Sequence, residues 1–150
     1  MKFEESIKQE TFSSPQIKAL LNMMYTANWF MGKQTELLKP YKLSPQQYNV
    51  LRILRGSHPN KLTVHSIKER MLYKTPNMTR LVDKLIAQEL VIREGCIEDR
   101  RVVYVGISQN GLDLMSQLDE TLSVFDTILQ TWGEEEAELI SEAMDRLRTQ

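Results

Sequence analysis

A mainly α-helical fold carrying one small β-hairpin is what this sequence predicts. Three observations lead there. Apolar residues recur at helical spacing through most of the 150 residues. Between about 90 and 105 the period changes to two short runs rich in β-branched and aromatic residues, with a polar stretch between them. Hydroxyl residues and prolines stand where helices need to begin.

The first helix is expected over Pro15 to Leu38, with Ser14 as N-cap and Pro15 at the first helical position. Ile17, Leu20, Leu21, Met24, Met31 and Leu38 share one face, and Lys39-Pro40 stops the helix. Ser44-Pro45-Gln46-Gln47 reads as a capping box opening a second helix, which Gly56 to Asn60 interrupts. A short third helix follows Thr63, from Val64 to about Met71. A fourth follows Thr75-Pro76, with Thr75 as its N-cap, and runs to about Gln88. Met78, Leu81, Val82, Leu85 and Ile86 form its buried side and leave Asn77, Thr79, Arg80, Asp83 and Lys84 outward.

Leu90 to Arg93 and Val102 to Val105 are the two strands of the hairpin, joined by Glu94 to Arg101. Ser108 caps a long helix reaching about Trp132, with Met115, Leu118, Leu122, Phe125, Leu129 and Trp132 in a heptad-like seam. The last helix starts near Gly133 with Glu134, Glu135 and Glu136 in its first turn, where the helix dipole favours acids. Ala137, Ile140, Met144 and Leu147 are its apolar stripe.

Composition narrows the function classes. No apolar run approaches the ~18–20 residues of a membrane span. The acidic N-terminus carries no export signal, so a cytoplasmic protein is expected. Cys96 is the only cysteine, which excludes a disulfide framework within the chain and a cysteine-based metal site. His58 and His65 have no spaced carboxylate partner and there is no phosphate-binding glycine loop, so neither an enzyme, a metal nor a cofactor is expected. The net charge of −1 conceals a division. Residues 41–106 hold twelve Lys/Arg against six Asp/Glu, and residues 107–150 hold two against ten. The middle of the chain can face a polyanion; the C-terminal part is poorly suited to it.

Two short helices joined by a tight link and followed by a two-stranded hairpin make a winged helix-turn-helix. A helix fits the major groove of B-DNA with its N-terminal residues nearest the base edges. Here those residues are Thr75, Pro76, Asn77, Met78, Thr79 and Arg80. Asn77 and Arg80 carry groups that read adenine and guanine, and Thr75 and Thr79 can reach phosphates. Arg100 and Arg101, in the hairpin loop, can enter a minor groove or clamp phosphates, and Asp99 is placed to orient a neighbouring arginine. The alternative is a set of capping and surface residues on a winged helix used for protein interaction or ligand binding without DNA.

The stretch from about Leu43 to Gly111 resembles the MarR family of bacterial regulators. The matching pieces are Leu43-Ser44-Pro45-Gln46-Gln47-Tyr48, then Met78-Thr79-Arg80-Leu81-Val82-Asp83-Lys84-Leu85, then Asp99-Arg100-Arg101 followed by a strand and Ile107-Ser108-Gln109-Asn110-Gly111. The resemblance implies one domain over 1–150, with a DNA-binding lobe at about 43–107 and dimerisation helices at about 14–39 and 108–148. It implies a homodimer on a pseudo-palindromic operator, repression, and release by a small-molecule effector or stress signal. The family's Asp-x-Arg wing motif maps onto Asp99 and Arg101, with Arg101 in the minor groove and Arg100 on the backbone. Members often have glycine between the recognition helix and the first wing strand, where this chain has Glu89-Leu90.

A shared interface also has a reason in the residues. Ile17, Leu20, Leu21, Leu122, Phe125, Leu129, Trp132, Ile140, Met144 and Leu147 offer more apolar face than the short helices and wing can cover. Packing of the long helices on each other within one chain is the alternative. No effector residues are assigned, and Cys96 reads as an incidental small residue.

Overall fold

Ser14, Ser44, Thr63 and Ser108 each receive the backbone hydrogen bond that starts a helix, and these four caps divide the chain. A computed structural model describes residues 2–73, 75–95 and 102–149. They fall into two units, one ending at Leu112 and the other beginning at Asp113.

The first unit opens with a short helix that the sequence pattern did not predict, α1 (Phe3–Ile7). Phe3 is buried because it stacks on Phe12, centroids 5.9 Å apart, and meets Tyr25 edge-on at 5.7 Å. Lys18 donates to Glu4 beside this cluster, and that hydrogen bond holds the Glu4 carboxyl below the usual carboxylate range. α2 (Pro15–Leu38) runs into a 3₁₀ turn at Lys39–Tyr41 and stops at Lys42 in the left-handed region. In α3 (Pro45–Ser57) the capping box is complete: Gln47 N–H donates to Ser44 Oγ at 3.2 Å, and Ser44 N–H donates to Gln47 Oε1 at 2.9 Å. Gly56 does not end this helix, which continues to Ser57.

β1 (Leu62–Thr63) leads directly into α4 (Val64–Arg70), and α5 (Met78–Ala87) follows. β2 (Val91–Gly95) and β3 (Val103–Ile107) pair antiparallel from Val91 opposite Ile107 to Gly95 opposite Val103. β1 joins the other edge of β3, giving a three-stranded sheet in the order β1-β3-β2 in place of the expected two-stranded hairpin. Leu38, Val50, Leu51, Leu54, Ile67, Val82, Leu85 and Val105 are fully buried, so α2 to α5 and β3 all contribute to one core. Each such side chain contributes roughly 1.5–3 kcal/mol of transfer free energy.

α6 (Gln109–Leu129) begins in the first unit, and its first turn rests on a close backbone approach. Ser108 N–H donates to Leu90 O at 3.1 Å and Ser108 Oγ donates to Glu89 O at 2.7 Å. A Cβ at Gly111 would lie 2.2 Å from Leu90 O and 2.7 Å from Ile107 Cγ1, so no larger residue fits there unless the backbone moves. In the second unit, Met115, Leu118 and Leu122 of α6 are buried. That helix stops at Leu129, three residues short of Trp132, and α7 (Glu134–Arg148) follows with its acids in the first turn and Arg146 and Arg148 in the last.

One helix start is corrected. α5 starts at Met78, so Thr75 is not its N-cap. Asn77 takes that position with a non-helical backbone and no side-chain cap bond. Glu89, where glycine was noted as usual, adopts φ 59°. A left-handed conformation costs a non-glycine residue roughly 1–2 kcal/mol. Glu89→Gly is therefore expected to stabilise the chain by about 0.5–1 kcal/mol, the relieved strain less the added entropy of the unfolded state. A higher urea midpoint at unchanged slope is the readout.

Candidate nucleic-acid interface

α5 is amphipathic in a way that decides what it can present. Met78, Val82 and Leu85 are buried, so Met78 anchors the helix and its side chain is withdrawn from the outer face; its assignment as a DNA contact is corrected on that ground. Asn77, Thr79, Arg80, Asp83 and Lys84 are exposed, and Thr75 is half-buried. Arg80 and Lys84 have no ion-pair partner among the described residues, which leaves two cations of this face open to an anion.

Concave surface surrounds the start of the helix. A groove of about 320 Å³ is lined by Thr75, Asn77, Arg80, Leu81 and Lys84. A second, of about 520 Å³, runs between α4 and the approach to α5 and is lined by His65, Lys68, Glu69, Met71, Thr75 and Pro76. A third, of about 550 Å³, lies between α4, α5 and the hairpin strands, with Thr63, His65, Thr79, Arg93 and Val103 in its wall. Thr75 lines the first two of these grooves and Thr79 the third. His65 lines both of the larger grooves and its Nε2 stands 3.2 Å from Glu69 Oε1 on the same helix.

The hairpin is tied to this helix. Arg93 on β2 reaches Asp83 on α5 at 3.0 Å. Lys61 pairs with Glu94 of β2 by crossing β3 at Gly106, where a Cβ would stand 3.0 Å from Lys61 Cγ. Neither tie was read from the sequence. Asp83 and Arg93 are ten residues apart, and only the return of the chain along β2 brings them together. Asp99, Arg100, Arg101 and Cys96 lie outside the described residues. Among the described residues no cluster of His, Cys, Asp and Glu could hold a metal ion, and no helix is long and apolar enough to cross a membrane.

The long helices carry exposed apolar surface. On α2, Ile17, Leu20, Met24, Tyr25 and Trp29 are exposed and Leu21 is half-buried. In the second unit Leu129, Trp132, Leu139 and Leu147 are exposed, the last at 61%, while Phe125, Ile140 and Met144 are half-buried. Leu122 differs: at 8% exposure it is already covered within the single chain and has little surface left for a partner.

Comparison with known proteins gives this geometry its context. A family model described as the MarR family matches residues 41–102. The HTH-type transcriptional regulator MhqR of Bacillus subtilis is 30% identical over 108 residues, 70% of this chain and 72% of that protein. The crystal structure of a MarR transcription factor from Planctomyces limnophilus superposes with a TM-score of 0.68 at 31% identity, covering 93% of this chain and all of that one. A mutant MarR of Escherichia coli complexed with operator DNA shares the fold, with a TM-score of 0.72 at 18% identity over 91% of this chain and 99% of that one.

The Asp83–Arg93 pair is partly exposed, so its effect on stability is small. A double-mutant cycle of Asp83→Ala and Arg93→Ala should give a coupling of about 0.2–1 kcal/mol by urea unfolding. Strict additivity would mean that the hairpin is not tied to the helix in solution.

Proposed function

The chain belongs to the MarR family and is a DNA-binding transcriptional regulator rather than an enzyme, and we propose that it acts as a homodimeric repressor of a pseudo-palindromic operator, released by a small-molecule or stress signal. One observation carries this reading. The exposed polar face of α5 is tied to β2 through Asp83 and Arg93 and holds Arg80 and Lys84, which have no ion-pair partner among the described residues, while the helix is anchored beneath by Met78, Val82 and Leu85.

In this reading the lobe over about 43–107 meets DNA. Asn77 and Arg80 enter the major groove, where asparagine pairs with adenine and arginine with guanine. Thr75 and Thr79 bind phosphate oxygens and set the register. Arg101 enters the flanking minor groove, Asp99 orients it, and Arg100 holds the backbone. The helices over about 14–39 and 108–148 form the dimer, which is favoured by the exposed Ile17, Leu20, Leu129, Trp132 and Leu147. A dimer doubles the phosphate contacts and places the two reading helices about one DNA turn, ~34 Å, apart. An effector acts by binding one arrangement of the two lobes better than the other. Such a regulator works in the cytoplasm, where its operator is.

Selection of bound sequences from random duplex DNA tests the reading directly. It should enrich paired half-sites with centres about 10–10.5 base pairs apart. Arg80→Ala and Arg101→Ala should each weaken operator binding by roughly 5- to 150-fold, corresponding to about 1–3 kcal/mol per contact, with the dimer intact. Affinity should also fall steeply between low and physiological salt as counterions are released. No enriched sequence, together with a flat salt dependence, overturns the reading. The dimer has its own test: Trp132→Glu should shift light-scattering mass from two chains towards one at micromolar concentration.

A further inference from the structure

The stretch that joins α4 to α5 is irregular wherever it is described. Residues 71–77 carry no helix or strand among those described, and Leu72 is 69% exposed. α5 itself begins without a side-chain cap. The last turn of α4 closes with Met71 N–H donating to Lys68 O at 3.3 Å, so the Leu72 N–H beyond it needs an acceptor from elsewhere. Asn49 supplies it. The Leu72 N–H donates to Asn49 Oδ1 at 2.9 Å, across 23 residues of sequence.

Asn49 is an unfavourable residue for its position. It lies inside α3, where asparagine is a poor helix former. It is 2% exposed, between Gln47 and Val50 on a helix that buries Val50, Leu51 and Leu54. Its Nδ2 is buried and has no partner among the described residues. A leucine, with the same branched skeleton, would avoid both the desolvation and the unpaired donor. What a leucine lacks is an acceptor for the turn.

We propose that Asn49 is a positioning residue for DNA recognition: from inside α3 it fixes the turn before α5, and so sets the angle at which Asn77, Thr79 and Arg80 meet the major groove. It does this without touching DNA. Arg70 Nη1 donates to Ser57 Oγ at 3.2 Å and gives the end of α4 a second tie to α3, but that tie is exposed and does not reach the turn. The inference rests on the reading of α5 as the DNA-contacting helix.

The test uses the full-length protein with two variants. Asn49→Leu removes the acceptor while keeping the branched skeleton; Asn49→Asp keeps an oxygen at the same place. For each, three quantities are measured: affinity for the selected operator, affinity for random duplex, and exchange protection of the Leu72 amide by NMR. Asn49→Leu should lose Leu72 protection. It should also lose about tenfold or more in operator affinity with less than about threefold change on random duplex, because phosphate attraction does not depend on the helix angle. Asn49→Asp should retain both protection and preference. A folded Asn49→Leu dimer that keeps its operator preference overturns the proposal, since Asn49 would then serve stability alone. If Asn49→Leu does not fold, Asn49→Asp decides: loss of preference with Leu72 still protected overturns it, and retention of both supports it. Failure of the underlying reading looks different. The unmodified protein would then show no operator preference at all, and Arg80→Ala would change nothing.

Discussion

The carbonyl of Leu90 is the point on which the first unit is assembled. It accepts from Ser108 N–H, and Gly111 approaches it so closely that any Cβ would overlap it. Its neighbour Glu89 turns the chain out of α5 through a left-handed backbone and offers its own carbonyl to Ser108 Oγ. The exit from α5, the start of the hairpin and the first turn of α6 are therefore held within a few ångströms. None can shift without breaking a hydrogen bond or a backbone contact. The glycine following Ile107-Ser108-Gln109-Asn110 thus has a physical reason, one of space, that is independent of any resemblance.

Around that junction, burial and charge do separate work. The buried apolar side chains of α3, α4, α5 and β3 supply the stability, because transfer from water scales with area and is indifferent to angle. The polar ties are too exposed or too few to add much. What they restrict is direction. Asp83–Arg93 limits how the hairpin leans on α5, and Lys61–Glu94 straps the outer strands across Gly106. For a helix proposed to meet base edges, direction is the quantity that matters.

The elements with local causes were legible in the sequence. Ser14 with Pro15, Ser44 with Gln47, Thr63 and Ser108 announce their helices through groups within three residues, and each bond is present. The buried face of α5 follows from periodicity alone. The elements with distant causes were not legible. β1 is two residues long and exists because Leu62 and Thr63 meet Val105 and Tyr104. α1 depends on Phe3 finding Phe12 and Tyr25. Met78 is both the first residue of α5 and part of its buried face, and proximity to the reading end alone cannot tell a contact from an anchor. Leu122 shows the same limit on a seam: spacing places it with Phe125 and Leu129 but does not say which of the three the chain already covers.

The same distinction bears on how such a protein can be regulated. Periodicity states which face of a helix is buried, and that face is defended by the whole core. Among the described residues, the polar restraints at the two ends of α5 are an amide hydrogen bond across 23 residues, an ion pair across ten and the Leu90 junction. In the proposed regulator, a signal that tilts α5 slightly would work mainly against such polar restraints and less against the apolar core. That separation allows a stable fold to have an adjustable reading surface. If α5 reads DNA as proposed, stability measurements alone would be a poor guide to the residues that set its direction, because exposed polar ties add little to the free energy of folding.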